Sequence, residues 1–133
     1  MSENNILFAT GRRKTSVAQV RLVPGGAGKV VVNAKTAEQF FGGHGRHKDS
    51  ALMPLAKVEA AKGFDVTVKV TGGGITGQAE AIRHGLARAL SKLDGDIKKS
   101  MRKEGFLTRD ARMVERKKPG RPKARKRFQY SKR

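Results

Sequence analysis

Apolar and polar residues alternate along two segments of the chain, a pattern typical of strands with one buried face. The clearer alternation spans residues 64–71 (FDVTVKVT), and the second spans residues 17–23 (VAQVRLV). Short apolar runs at 6–10 (ILFAT) and 29–32 (KVVV) predict two more strands. Because the turn-forming residues PGGAG at 24–28 join two of these segments, we predict an antiparallel hairpin of 17–23 with 29–32.

The period becomes helical after the glycines at 72–74. Apolar residues then recur three or four positions apart, as on one stripe of an amphipathic helix. The members of this stripe are Ile75, Ala79, Ile82, Leu86, Leu90 and Leu93. Gly85 lowers the helix propensity by about 1 kcal/mol, which a close backbone approach to the sheet or to RNA would explain. A shorter helix is predicted over 96–105, and weaker ones over 35–41 and 48–61, separated by a GGHG break.

The charge of the chain points to its partner. There are 30 Lys and Arg residues against 11 Asp and Glu, a formal net charge of +19. Such an excess makes a compact fold repel itself unless a polyanion compensates, and folded RNA or DNA is the commonest such partner. A basic surface kept for solubility is the alternative, although Asp and Glu serve solubility better. With no leader pattern and no apolar run near about 20 residues, we predict a soluble protein with no membrane partner, and the absence of cysteine fits an intracellular location.

The distribution of charge divides the chain into two regions. Residues 1–107 have a net charge of +9, whereas residues 108–133 have +10. In the second region the apolar residues follow no period after Val114, and Pro119 and Pro122 block a continuous helix. We therefore predict a globular domain over 1–107 and an extended basic tail over 108–133, disordered when free and ordered on a polyanion.

The segment GGGITGQ at 72–78 is the first candidate for chemistry. Its G-x-G-x-x-G spacing matches the dinucleotide-binding fingerprint and lies between a predicted strand and a predicted helix. The required context fails, because no second parallel strand is identified and Asp94 and Asp96 close the helix instead. A tight strand-to-helix turn is the favoured interpretation. Docking of a phosphate on backbone N–H groups at the start of the helix is the alternative.

Two basic segments are candidates for phosphate contact. GRRKTS at 11–16 places three consecutive cations in the predicted connection between two strands. A solvated loop is the simplest interpretation, but the net charge of the chain favours contact with phosphates. In the tail, the cations are interleaved with Phe128 and Tyr130, and aromatic side chains stack on unpaired bases.

Histidines and carboxylates give no support to metal binding or catalysis. His44 and His47 are three apart in a glycine-rich loop, and His84 is predicted on the helix face opposite the apolar stripe. A metal site needs more ligands at metal-like spacing, and no Ser–His–acid order or carboxylate pair stands out. We predict no metal, no cofactor, no small-molecule substrate and no enzymatic activity.

Three segments resemble the small-subunit ribosomal protein nine family in its bacterial form. They are ATGRRKTSVAQV at 9–20, GGGITGQAEAIRHGLARAL at 72–90 and GFLTRDARMVERKKPGRPKARKRFQYSKR at 105–133. The resemblance covers essentially the whole chain, with little signal over roughly 36–62. It implies an α+β fold with a small mixed sheet, helices packed on one face and a βαβ crossover of left hand, followed by the long extended basic tail.

The resemblance also implies a structural role in the head of the small ribosomal subunit. The expected partners are small-subunit rRNA, the peptidyl-site tRNA and neighbouring head proteins. The residues predicted to bind rRNA are Arg12, Arg13, Lys14, Gly73, Gly74, Arg83, Arg109, Arg112, Arg116, Lys117, Lys118, Arg121, Lys123, Arg125, Lys126 and Arg127. The residues implied to lie beside the tRNA anticodon stem-loop are Ser131, Lys132 and Arg133.

Two other classes of protein stay open as alternatives. A histone-like DNA compactor would share the charge and the tail, and a nucleotide-binding enzyme would use the glycine turn. Neither class accounts for the three matching segments.

Overall fold

The structure is a computed structural model that describes residues 6–42, 45–58, 62–109, 112 and 116–126. Within these residues the chain forms five strands and four helices. In chain order they are β1 (Leu7–Arg13), β2 (Ser16–Pro24), β3 (Val30–Val32), β4 (Lys35–Thr36), α1 (Ala37–Phe41), α2 (Gly45–Lys57), β5 (Phe64–Thr71), α3 (Ile75–Leu90) and α4 (Gly95–Lys103). Each predicted strand and helix has a counterpart here, and the two-residue β4 was not predicted. Gly43 and His44 of the GGHG break, and residues 59–61, lie outside the described residues.

The strands form one mixed sheet in the order β1-β2-β5-β3-β4. β2 is antiparallel to both β1 and β5, whereas β3 is parallel to β5 and antiparallel to β4. The predicted hairpin between 17–23 and 29–32 is therefore wrong, because β5 lies between these two strands. The described residues show the α+β class that the family resemblance implied.

The linker between β2 and β3 explains this error. The N–H of Gly26 donates to the carbonyl of Gly63 at 2.9 Å. The N–H groups of Ala27 and Lys29 donate to Oδ1 of Asp65 at 3.0 and 3.1 Å. Because these acceptors lie at or just before the start of β5, the linker crosses the end of β5 and does not fold back on β2. Strand β3 then returns to β5 through β4, α1 and α2, a crossover whose left hand stays a prediction.

One face of the sheet is buried and the other is exposed. The alternation predicted for β2 and β5 is confirmed, since every second side chain in each strand is buried. The buried set is Ala18, Val20, Leu22, Val66, Val68 and Val70. Their neighbours Gln19, Arg21, Thr67 and Lys69 are exposed. The helices therefore cover one face only, and the other face of β2 and β5 meets solvent.

Helix α3 is the central element of the core. It packs against β1 and β2 on one side and against α2 on the other. Besides most of the predicted apolar stripe, it buries Ala81, Ala87 and Ala89, whose small side chains admit close neighbours. The shorter predicted helix is also present as α4, with the Asp94 side chain accepting a hydrogen bond from the N–H of Asp96 at 3.3 Å.

Two glycines allow α3 to lie directly on β1. A Cβ added to Gly11 would lie 1.9 Å from the carbonyl oxygen of Ala81 and 2.3 Å from the nitrogen of Gly85. A Cβ added to Gly85 would lie 2.7 Å from Cγ2 of Val20. These separations are far below van der Waals contact. The close backbone approach predicted at Gly85 is therefore confirmed, and its partner is the sheet.

Candidate nucleic-acid interface

The basic segment at 11–16 lies mostly within the sheet. Gly11, Arg12 and Arg13 belong to β1, and only Lys14 and Thr15 form the connection to β2. The prediction that all three cations lie in the connection is therefore wrong. Strand alternation sends neighbouring side chains to opposite faces, so Arg12 is exposed while Arg13 is only 8% exposed. Lys14 is exposed at the tip of the hairpin with φ at +53°.

Arg13 is an internal link. Its Nε donates to the carboxylate of Glu80 on α3, and its Nη1 donates to the backbone carbonyl of Arg112. The Arg13 and Glu80 side chains are 10% and 28% exposed, so this ion pair is largely withdrawn from water. One guanidinium thus joins β1, α3 and the start of the tail. This arrangement holds the first tail residues against the domain.

The glycine segment forms a tight turn against the β1–β2 hairpin. Gly72 and Gly73 have φ values of +77° and +67°, a region that favours glycine. The Ser16 hydroxyl donates to the Gly72 carbonyl at 3.0 Å, and the Gln78 side-chain amide donates to the same oxygen at 3.1 Å. A Cβ on Gly73 would lie 2.1 Å from the Ser16 hydroxyl. The tight-turn interpretation therefore accounts for the glycines.

This turn brings together the basic segment at 11–16 and the glycine segment at 72–78. A Cβ on Gly72 would lie 2.4 Å from the carbonyl oxygen of Thr15, so the hairpin tip and the glycine turn touch. Gly74 is exposed and begins α3 without a side-chain hydrogen bond to cap it. Helix geometry leaves the first N–H groups of α3 without intrahelical acceptors. Within the described part of the chain no strand follows α3, so the dinucleotide-binding context is not met there.

His84 lies among several cations beside β1. Its Nδ1 accepts a hydrogen bond from the backbone N–H of Arg12 at 3.4 Å. Burial lowers the pKa of His84, a hydrogen bond with the Leu107 backbone acts to raise it, and the nearby guanidinium groups lower it further. Those groups belong to Arg88, Arg109 and Arg83. His84 is half-buried, and its ring lies beside β1.

The predicted residues Arg12, Arg83 and Arg109 therefore come together around one histidine. Arg83 lies over the ring of Phe106, with its guanidinium carbon 5.8 Å from the ring centroid. Its Nη1 also donates to the Ser50 hydroxyl on α2 at 3.4 Å. These contacts hold positive charge on the surface between α3 and the segment after α4.

Sequence reasoning missed two cations, Arg88 on α3 and Lys92 two residues beyond its end. Arg88 donates to the carbonyl of Thr10 at 2.7 Å, and Lys92 donates to the carbonyl of Phe8. Both carbonyls belong to the edge strand β1 and point away from β2. The four-residue spacing of His84, Arg88 and Lys92 is the signal that could have found this row, because such residues share one face of a helix.

The described tail residues form a separate basic segment. Residues 116–126 contain neither helix nor strand, and the N–H of Arg121 donates to the Lys118 carbonyl at 3.2 Å in a turn that includes Gly120 with φ at +77°. The tail is thus turned at this point, and its extension as a whole stays a prediction. The exposed predicted residues here are Arg112, Arg116, Lys117, Lys123, Arg125 and Lys126, while Lys118 and Arg121 are half-buried. The predicted residues Arg127, Phe128, Tyr130, Ser131, Lys132 and Arg133 lie outside the described residues.

Among the described residues, no group of three or more His, Cys, Asp or Glu side chains is placed to hold a metal ion. No helix in the described ranges is long and apolar enough to cross a membrane.

A small α+β domain with a charge of +19 over the whole chain and a basic C-terminal segment defines a class of proteins that bind polyanions through their surface. The family model described as ribosomal protein S9/S16 matches residues 11–133, and the chain belongs to that family. It is a structural protein of the small ribosomal subunit that binds rRNA, and it is not an enzyme. The family membership predicted from the three segments is confirmed.

Proposed function

We propose that this protein acts in the head of the small ribosomal subunit in the cytoplasm, beside other head proteins. Its domain binds small-subunit rRNA, and its tail continues to the peptidyl-site tRNA. The observation that carries the proposal is that three features lie together around the Arg13–Glu80 pair: the hairpin tip at Lys14, the glycine turn, and the start of the tail near Arg112, here called the tail root. Three features that can contact phosphates, through cations or through backbone N–H groups, thereby lie at one end of the domain.

The domain surface offers both charge and backbone donors to RNA. Lys14 and Arg12 are exposed at the hairpin, and Arg83 and Arg109 lie near His84. Gly73 and Gly74 lead into the start of α3, which has no side-chain cap. A phosphate oxygen can accept hydrogen bonds from the free backbone N–H groups there. We assign Arg13 a positioning role, because its side chain is buried and bonded to Glu80 and Arg112.

The tail supplies the larger part of the affinity. In the free chain, Arg116 donates to the carbonyl of Lys117 and Arg121 donates to that of Arg125, each at 3.1 Å. Phosphate oxygens are stronger acceptors for a guanidinium than neutral carbonyls are. Exchange of these local bonds for phosphate contacts, with release of counterions, offsets the entropy lost when the tail is ordered.

Sedimentation of a cell lysate tests this proposal. The protein is followed across a gradient before and after a high-salt wash, with antibody detection in each fraction. We expect it to stay with small subunits through the wash, since contact by charge alone weakens steeply with salt. Loss of the protein into the light fractions, or its sedimentation with DNA, would count against the proposal.

Deletion of the last two residues tests the tRNA contact separately. Removal of Lys132 and Arg133 leaves the domain and most tail cations intact. We expect subunit assembly to be nearly unchanged and retention of peptidyl-site tRNA to fall about 2- to 5-fold, the effect of losing one or two phosphate contacts. Failure of subunit assembly in this variant would contradict the division of roles between domain and tail end.

A further inference from the structure

A second concave surface lies at the free edge of the sheet. It is a cleft of about 370 Å³ at the opposite end of β1 from Lys14. Phe8, Thr10 and Gln19 line it from the strands, and Arg88 of α3 and Lys92 of the turn after α3 line it from the helical side. Its volume is close to the lower end of the range for small-molecule sites, which is the size of a single nucleotide and too small for a folded partner.

The cleft has an aromatic wall. Phe8 is 58% exposed, the largest such exposure of a large apolar side chain in the described residues. The guanidinium of Arg21, its partner across β1 and β2, lies 5.5 Å from the ring centroid. A phenyl ring and a guanidinium plane are the two surfaces on which proteins stack unpaired RNA bases.

The cleft also has polar groups suited to the rest of a nucleotide. Gln19 is exposed and pairs with Thr10 across the strands, and its amide carries both donors and an acceptor for a base edge. Arg88 and Lys92 are held at the rim by their bonds to the carbonyls of Thr10 and Phe8. A guanidinium has five N–H donors and an ammonium three, so one such bond leaves each side chain further donors for a phosphate.

We propose that this cleft binds one unpaired nucleotide of RNA. The base stacks on Phe8 beside Arg21, Gln19 contacts the base edge, and Arg88 and Lys92 contact the phosphate. The charge of the cleft favours an anion, and its exposed aromatic ring favours a base over an acidic peptide. This inference rests on the proposed RNA binding but concerns a surface separate from the hairpin tip and the tail.

The test compares two variants of the full chain, Phe8→Leu and Phe8→Tyr. Binding to a single-stranded oligouridine of about eight nucleotides and to a duplex RNA of equal length is measured at about 0.3 M KCl, where contacts made by charge alone are weak. We expect Phe8→Leu to weaken binding to the single strand about tenfold, with duplex binding unchanged and the melting temperature retained. Phe8→Tyr, which keeps an aromatic ring, is expected to bind as the unchanged chain does.

A charge variant locates the phosphate. Lys92→Gln is compared with Lys99→Gln, which removes an exposed cation from α4. We expect Lys92→Gln to make the slope of log affinity against log salt for the oligouridine shallower by about 0.7 and to reduce the effect of Phe8→Leu, while Lys99→Gln changes neither the slope nor that effect as much.

Three outcomes would overturn the inference. The first is that Phe8→Leu has no effect on single-strand binding, and the second is that it weakens duplex binding equally. The third is that an acidic peptide protects Phe8 from solvent and the oligouridine does not. If the unchanged chain binds no RNA at all, the proposed function fails together with the inference. If the chain binds RNA steeply with salt and Phe8→Leu has no effect, the inference alone fails.

Discussion

The domain and the tail carry almost the same net charge, +9 over residues 1–107 and +10 over 108–133, but they hold it differently. In the domain, Arg13, Arg88 and Lys92 donate to carbonyl or carboxylate groups of other elements. In the tail, Arg116 and Arg121 donate to carbonyls one and four residues away. The fold therefore fixes where the domain's cations point, whereas the tail's cations are arranged by local bonds that a polyanion can replace. Stability should depend on the first region and affinity on the second.

Neutralisation of the tail should have the largest effect. We expect replacement of its cations within 116–126 with Gln to lower rRNA affinity about 1,000-fold at physiological salt and to flatten the salt dependence strongly, because each lost phosphate contact removes counterion release. The residues changed are Arg116, Lys117, Lys118, Arg121, Lys123, Arg125 and Lys126. The free energy of unfolding should change by less than about 0.5 kcal/mol. Filter binding across a salt series and urea unfolding measure the two quantities.

A matched change in the domain is the control for total charge. Replacement of the four α4 cations with Gln removes exposed charge without touching the tail, and these residues are Lys98, Lys99, Arg102 and Lys103. The stated difference between domain and tail would be wrong if this variant lost as much rRNA affinity per charge as the tail variant does. It would also be wrong if the tail variant unfolded at a clearly lower urea concentration than the unchanged chain.

Gly11→Ala should have the largest effect on stability. The added Cβ would meet the Ala81 oxygen at 1.9 Å, so α3 must move away from β1 and the packing of both is disturbed. We expect a loss of about 3 kcal/mol in the free energy of unfolding, at the upper end for overpacked cores. Gly95→Ala is the control, because nothing lies within 4 Å of its added Cβ. Equal stability of the two variants in urea unfolding would refute the role of this contact.

The strands and helices with a clear period were predictable because burial on one side creates that period. Val66, Val68 and Val70 in β5 and the stripe of α3 are examples. Gly85 was also recognised as unusual, since a glycine inside a helix requires a reason. Its partner Gly11 was not, because a glycine beside a basic segment is equally typical of a turn.

The pairing of β3 and the burial of Arg13 could not be read from the sequence. Strand order depends on where the linker finds hydrogen bonds, and the acceptor Asp65 lies far along the chain. Arg13 occupies an inward position because Glu80 compensates its charge, and only the packing of α3 on β1 brings the two together. The residues of the candidate site were thus predicted by type, while their arrangement came from tertiary contacts.

Loss of the Arg13–Glu80 pair should have an intermediate effect. Glu80→Gln leaves the guanidinium largely buried without its carboxylate, which we expect to lower the free energy of unfolding by about 1–2 kcal/mol, less than for fully buried pairs because Glu80 is partly exposed. The tail root should also become more accessible to trypsin near Arg112.

The exposed pair of Glu38 and Lys48 provides the matched control. Lys48 Nζ donates to Glu38 at 2.6 Å, but the Glu38 side chain is 70% exposed and solvent screens the interaction. Glu38→Gln should leave both stability and trypsin cleavage unchanged. If Glu80→Gln behaves in the same way, Arg13 does not anchor the tail.

Acidification should have the smallest effect and should act on the domain alone. The pKa of His84 in the folded chain is lowered from 6.5, chiefly by burial. The folded chain therefore binds the proton less readily than the unfolded chain, so the stability contributed by neutral His84 is complete above about pH 6.5 and is lost as the pH falls below that value. Protonation at Nδ1 would also remove the acceptor for the Arg12 N–H and add charge beside Arg83, Arg88 and Arg109.

Thermal unfolding of the full chain and of His84→Asn between about pH 5 and pH 7.5 measures this effect, because the window spans the ordinary pKa of histidine. The stability advantage of the unchanged chain should shrink as the pH falls, since asparagine keeps an acceptor and does not titrate. An advantage that stays constant, or that grows on acidification, would contradict the assignment. The tail has no histidine, the side chain type whose ordinary pKa lies in this range. Affinity supplied by the tail should therefore be the same at both ends of this pH range, whereas the stability of the domain should differ between them. The pH dependence thus distinguishes the two regions, as the glycine variants do through stability and the glutamine variants do through binding.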